Sequence, residues 1–68
     1  MRNTAREAAA ALLDAGRQMA LESERLEDAG LWPAAAAARD QAEAYDRDAR
    51  QIAEESGDTE MLAQWDED

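Results

Sequence analysis

The stretch LEDAGLWPAAAAA, Leu26 to Ala38, decides the fold. A charged, helix-compatible run meets Gly30; Leu31 and Trp32 follow, and Pro33 opens a run of five alanines. Glycine is the usual residue just past a helix C-terminus, because it adopts the left-handed conformation without steric cost. Proline suits the first turn of a helix, where its missing N–H leaves no bond unmade. The stretch therefore predicts a helix ending at about Ala29, a connection through Leu31 and Trp32, and a second helix from Pro33. So short a connection makes the two helices antiparallel neighbours.

Outward from the turn, each helix has its own end signals. Thr4-Ala5-Arg6-Glu7 reads as a capping box, in which hydroxyl and carboxylate each satisfy an orphan N–H. The second helix runs to about Glu55 and stops at Ser56-Gly57. Asp58 or Thr59 can cap a third, carrying Met61, Leu62 and Trp65. The expected fold is all-α: an antiparallel hairpin (about 4–29 and 33–55) plus a short C-terminal helix (about 59–65). It forms one small domain over residues 1–68, able to dimerise as a four-helix bundle.

The apolar spacing agrees. Ala5, Ala9, Leu12, Gly16, Met19, Ser23 and Leu26 recur at alternating steps of four and three; so do Ala35, Ala38, Ala42, Tyr45, Ala49 and Ile52 on the second helix. This is the seam period of a two-helix coiled coil. Folding the chain about Gly30–Trp32 sets large residues against small ones: Leu26 on Ala35, Met19 on Ala42, Gly16 on Tyr45, Leu12 on Ala49 and Ala9 on Ile52. Ser23 against Ala38 is a thin layer. Leu13, Leu21, Trp32 and Trp65 fall off the seam. The third helix can cover some of them, and a second copy or another protein the rest.

Composition limits the alternatives. Of 68 residues, 18 are Ala, with 6 Leu, 3 Met, 2 Trp, 1 Ile, 1 Tyr and no Val or Phe. So few large side chains cannot build a sizeable core, and the scarcity of β-branched residues opposes a sheet. Low bulky-apolar content with high charge is also a signature of disorder; the alanine content, ideal for helix, outweighs it. Without Cys or His there is no disulfide, no thiol nucleophile and no imidazole base or ligand. The longest uncharged run, Ala29–Ala38, contains Gly and Pro and cannot span a membrane. The N-terminus lacks a signal-peptide pattern, so a cytoplasmic location is expected.

Acids outnumber bases 17 to 7, for a net charge of −10, and all seven bases are Arg. A GC-rich genome would produce this bias, and so would a salt-adapted one; both readings stand against a functional use of the charge. Glu43–Arg47 and Asp46–Arg50 are spaced for i,i+4 pairs. Arg2 and Arg6, at the unfavourable end of the helix macrodipole, are expected near Glu54 and Glu55. Glu22, Glu24, Glu27 and Asp28 crowd the negative end of the first helix around Arg25. That cluster is either a solvated acidic end or a binding surface. With Trp32, Asp40 and Glu43 it makes the candidate partner-binding set. Trp32 can staple the turn or stand out as an interface anchor. Trp65 is expected to be core, and Asp66-Glu67-Asp68 a solubility tail.

Catalysis is not expected. There is no Glu-x-x-His pair for a di-iron site, no EF-hand spacing and no glycine-rich phosphate loop. Neither Ser23 nor Ser56 has a base to activate it. No cofactor or metal is expected. Direct nucleic-acid binding needs a basic surface. What a charge of −10 favours is a basic protein partner, and nucleic-acid-handling proteins carry such surfaces. In size and charge the chain resembles small acidic helical inhibitors of phages and mobile elements, the anti-CRISPR and DNA-mimic proteins. That resemblance implies an inhibitor of a basic, nucleic-acid-handling host protein.

The segment Glu24–Ala42 also resembles the hairpin of the PerC and ANR groups of small regulators, through Leu26-Glu27, Gly30-Leu31-Trp32 and Ala35-Ala36. It is similar, too, to one tetratricopeptide-type hairpin through Trp32, Ala35 and Ala42. Arg39 stands where the regulators often have Trp, and Pro33-Ala34 replace their basic residues. The PerC/ANR resemblance implies a transcriptional regulator acting through protein contacts; a structural assembly module is a third expectation.

Overall fold

A computed structural model describes residues 4–66, with Asp66 as helix backbone only. Three helices follow in chain order: α1 (Thr4–Asp28), α2 (Trp32–Ser56) and α3 (Thr59–Asp66). The hairpin and the short third helix are as the end signals predict. Arg2 and the last residues of the acidic tail lie outside the described residues.

Both turns are built on glycine. Gly30 has φ 77° and Gly57 φ 69°. At the first, the Gly30 N–H donates to Glu27 O (3.0 Å) and the Leu31 N–H to Leu26 O (2.8 Å). At the second, Gly57 N–H reaches Glu54 O (3.2 Å) and Asp58 N–H reaches Ala53 O (3.0 Å). These are two Schellman caps, each satisfying carbonyls that a helix end leaves orphaned. The Leu31 carbonyl already accepts from the Ala35 N–H (2.9 Å). Helix α2 therefore starts at Trp32, one residue before the predicted Pro33, which still lies in the first turn.

α1 and α2 pack along the predicted seam. A Cβ placed on Gly16 would lie 3.3 Å from Ala42 O and in ordinary contact, 3.5 Å, with Tyr45 Cβ, so the missing methyl makes room for the α2 backbone at Ala42 and not, as expected, for the Tyr45 ring. Ser23 is no thin layer: its buried hydroxyl donates to Ala35 O at 3.0 Å, one turn closer to the connection than the predicted Ala38. The hydroxyl thus spends its donor across the helix pair, which is what permits a serine in the seam.

The core sits at the open end of the hairpin. Ala9, Ala49, Ala53 and Met61 are buried, with Leu12, Leu13, Ile52, Leu62 and Trp65 packed around them. Leu13 is partly buried against this cluster, and Trp65 joins the core as expected. Its indole N–H also donates to Asp46 Oδ2 at 3.1 Å.

Asp58 fastens α3. Its Oδ1 accepts the Met61 N–H (3.1 Å), making Asp58 the N-cap. Arg6 grips the same carboxylate from α1 through Nε (2.6 Å) and Nη2 (2.7 Å). The Arg6 guanidinium, with help from the Met61 N–H, holds the Asp58 carboxyl below the usual carboxylate range, against the opposing effect of burial. The Asp58 carboxylate in turn raises Arg6. This corrects the expected pairing of Arg6 with Glu54 and Glu55. Glu54 accepts from Arg50 Nε (3.0 Å) and Glu55 from Gln51 (3.2 Å) within α2, while the Gly57 turn presents Asp58 to α1. The expected i,i+4 pairs Glu43–Arg47 and Asp46–Arg50 do not form among the described residues; in the second, Arg50 takes Glu54 and Asp46 takes Trp65. An exposed i,i+4 pair is worth only about 0.3–0.5 kcal/mol and is easily outcompeted.

Candidate functional site

The hairpin leaves one flank of its seam open toward the turn. On α1, Ala20, Glu24 and Glu27 each follow a seam residue by one position, as do Arg39, Glu43 and Asp46 on α2. An antiparallel pair sets like flanks opposite one another, so the two rows face across a shallow groove of about 360 Å³. Ala20, Ser23 and Glu24 line its α1 side, and Arg39, Ala42, Glu43 and Asp46 its α2 side. The groove exists because alanine and serine stop at Cβ or Oγ, leaving the long side chains as walls. Arg39 bridges to Glu27 across the turn-proximal end. The Trp65–Asp46 hydrogen bond borders the other end.

The charges sort into paired and unpaired groups. Arg6 is taken by Asp58 and Glu60, Arg25 by Glu22 (3.7 Å), Arg39 by Glu27 and Arg50 by Glu54. The acidic end of α1 is therefore partly neutralised, and Arg39 supplies a structural return for Glu27 that sequence spacing did not reveal. Glu24, Asp28, Asp40 and Glu43 are exposed and make no ion pair among the described residues.

Of the sequence-predicted partner-binding residues, the structure gathers Glu24, Glu27 and Glu43 at the groove. Trp32 lies one heptad before Arg39 and two before Asp46, hence on the same stripe of α2. It is 63% exposed and Leu31 52%, so Trp32 does not staple the turn: as the first residue of α2 it projects from the helix before the seam begins. Asp28 is exposed at the last residue of α1. Glu22 and Asp40 point elsewhere, about 200° round α1 from Glu24 and about 100° round α2 from Arg39 at 100° per residue. Sequence reading missed Ala20, Ser23, Arg39, Ala42 and Asp46. The signal available for them was the row one residue past the seam on each helix.

No helix among the described residues is long and apolar enough to cross a membrane. No known protein family, characterised protein or solved structure matches the chain.

Proposed function

We propose that this protein is a non-catalytic, acidic inhibitor that binds the basic surface of a nucleic-acid-handling protein and keeps nucleic acid off it. One observation carries the reading: the arginines near the turn, Arg25 and Arg39, pair with Glu22 and Glu27, while Glu24, Asp28, Asp40 and Glu43 face solvent without an ion pair among the described residues. The turn half of the molecule thus offers carboxylates to a partner. Such a surface steers encounter with cationic protein and repels phosphate. The type of protein fits the small acidic inhibitors that mobile elements carry.

The test passes a bacterial lysate over the immobilised chain. Retained proteins are then assayed for loss of bound DNA or RNA as free chain is added. At least one retained protein is expected to surrender its nucleic acid. The effect should weaken at least tenfold between about 50 and about 200 mM salt. A variant carrying Glu24→Lys, Asp28→Lys, Asp40→Lys and Glu43→Lys should lose it. Retained proteins that all keep their nucleic acid, or a reversed variant that still displaces it, would overturn the proposal.

A further inference from the structure

α3 shows how a helix rides on this flank of the hairpin. Met61, Leu62 and Trp65 press apolar side chains onto a floor that includes Ala9, Ala49 and Ala53, and an arginine–carboxylate pair, Arg6 with Asp58, clamps the edge. Past Trp65 and Asp46 the flank continues without a cover. Its floor is again small, Ala20 and Ala42; its walls carry the carboxylates Glu24, Glu43 and Asp46 beside Arg39, whose charge Glu27 takes, so here the hairpin offers the carboxylates where under α3 it offers Arg6. Two straight ridges bound it. On α2 it runs from Arg39 to Asp46, about 10 Å or two helical turns. Beyond Arg39 the same stripe ends in the exposed Trp32. An exposed tryptophan at the end of an apolar-floored groove is the residue type that anchors interfaces.

We propose that this groove seats one amphipathic basic helix of the partner, lying in line with α3. Its small apolar side chains rest on Ala20 and Ala42, its arginines pair with Glu24 and Glu43, and its far end packs on Trp32. The inference rests on the function proposed above and names the element that is bound. Charge selects the occupant. A second copy of this chain brings a net charge of −10 against Glu24 and Glu43, and nucleic acid brings phosphates; both are repelled, whereas a cationic helix is attracted.

The test uses the full chain and two amidated peptides of identical Ala, Leu and Arg composition, each about eighteen residues so that helix can form. One is patterned with an Ala/Leu stripe flanked by Arg, the other shuffled. The patterned peptide is expected to bind at least tenfold more tightly. It should shift the amide resonances of Ala20, Ser23 and Ala42 and the Trp32 indole resonance. Ala20→Leu, which fills the groove from an exposed position, and Glu24→Gln/Glu43→Gln should each weaken it about tenfold. Asp48→Asn/Glu55→Gln makes the same charge change on the opposite face of α2 and should leave binding within about twofold. Equal binding of both peptides, or undiminished binding to the Ala20→Leu variant, overturns the groove while leaving a basic partner standing. Failure of both peptides to bind likewise overturns the groove, while the lysate assay decides the basic partner separately. A dimer that Ala20→Leu converts to monomer would assign the groove to a second copy and overturn the proposal.

Discussion

Gly16 is where one atom controls the approach of two helices. Glycine in a helix interior costs about 1 kcal/mol relative to alanine. A methyl here would sit 3.3 Å from Ala42 O and 3.5 Å from Tyr45 Cβ. The Ala42 carbonyl is helix backbone and yields little. In Gly16→Ala the gain in helix propensity and the crowding therefore oppose each other, and the net change in stability is expected to stay below about 1 kcal/mol. Gly16→Leu has no such balance: it must part the helices beside Tyr45 and should cost about 1–3 kcal/mol. Urea unfolding followed by helical circular dichroism measures both; a Leu variant as stable as the parent would show that the close approach is not needed. The contacts of Gly16 follow from its place in the seam, one layer from Met19. By contrast, nothing in the sequence around Ser23 announced that its hydroxyl would bond to Ala35 rather than leave a gap.

At the scale of elements, α3 is held by Asp58 more than by its own length. Eight residues make too short a helix to persist unaided. Asp58 is both its N-cap and the anchor for Arg6. Because the folded pKa of Asp58 is lowered, its contribution to stability is fully present above the unfolded value, about 3.9. It is lost as pH falls through the lower folded value. Asn caps helices about as well as Asp, so Asp58→Asn removes the charge and keeps the cap. Thermal melts should show the parent more stable than Asp58→Asn above about pH 5, with the gap closing as pH drops below about 3.9. A gap of constant size across that range would mean that the Arg6 pairing does not secure α3. The capping choice at Asp58 or Thr59 was legible in the sequence. The Arg6 partner was not, because it depends on the direction in which the Gly57 turn sends the chain.

At the scale of the whole molecule, charge opposes a slender structure. The helices form a body 45 × 26 × 13 Å in extent, with alanines as its fully buried side chains among the described residues. A net charge of −10 on so small a body repels itself. Salt screens that repulsion over about 8–10 Å near physiological strength. Raising sodium chloride should therefore raise the melting temperature, by about 4–8 °C for each kcal/mol recovered, while the same salt weakens binding to a basic partner. Stability and affinity moving in opposite directions with salt would mark the surface charge as costly to the fold and useful to binding. A melting temperature that falls with salt would mean that the internal ion pairs outweigh the repulsion.

The sequence by itself determined the helices, their ends and their pairing, because glycine, proline and a repeating alternation of large and small residues act locally or at one fixed period. Gly30, Gly57 and the seam through Gly16 and Tyr45 needed no knowledge of the distant chain. Only the tertiary structure decided which acids remain unpaired and where the open groove lies. Charged side chains are long and exposed, and several partners lie within reach of each at nearly equal energy. Arg39 chose Glu27, Arg50 chose Glu54 and Asp46 chose Trp65 once the flanks of two helices and the path of α3 were set. The groove is likewise the space that α3 leaves uncovered, a property of where a short helix stops and not of any residue within it.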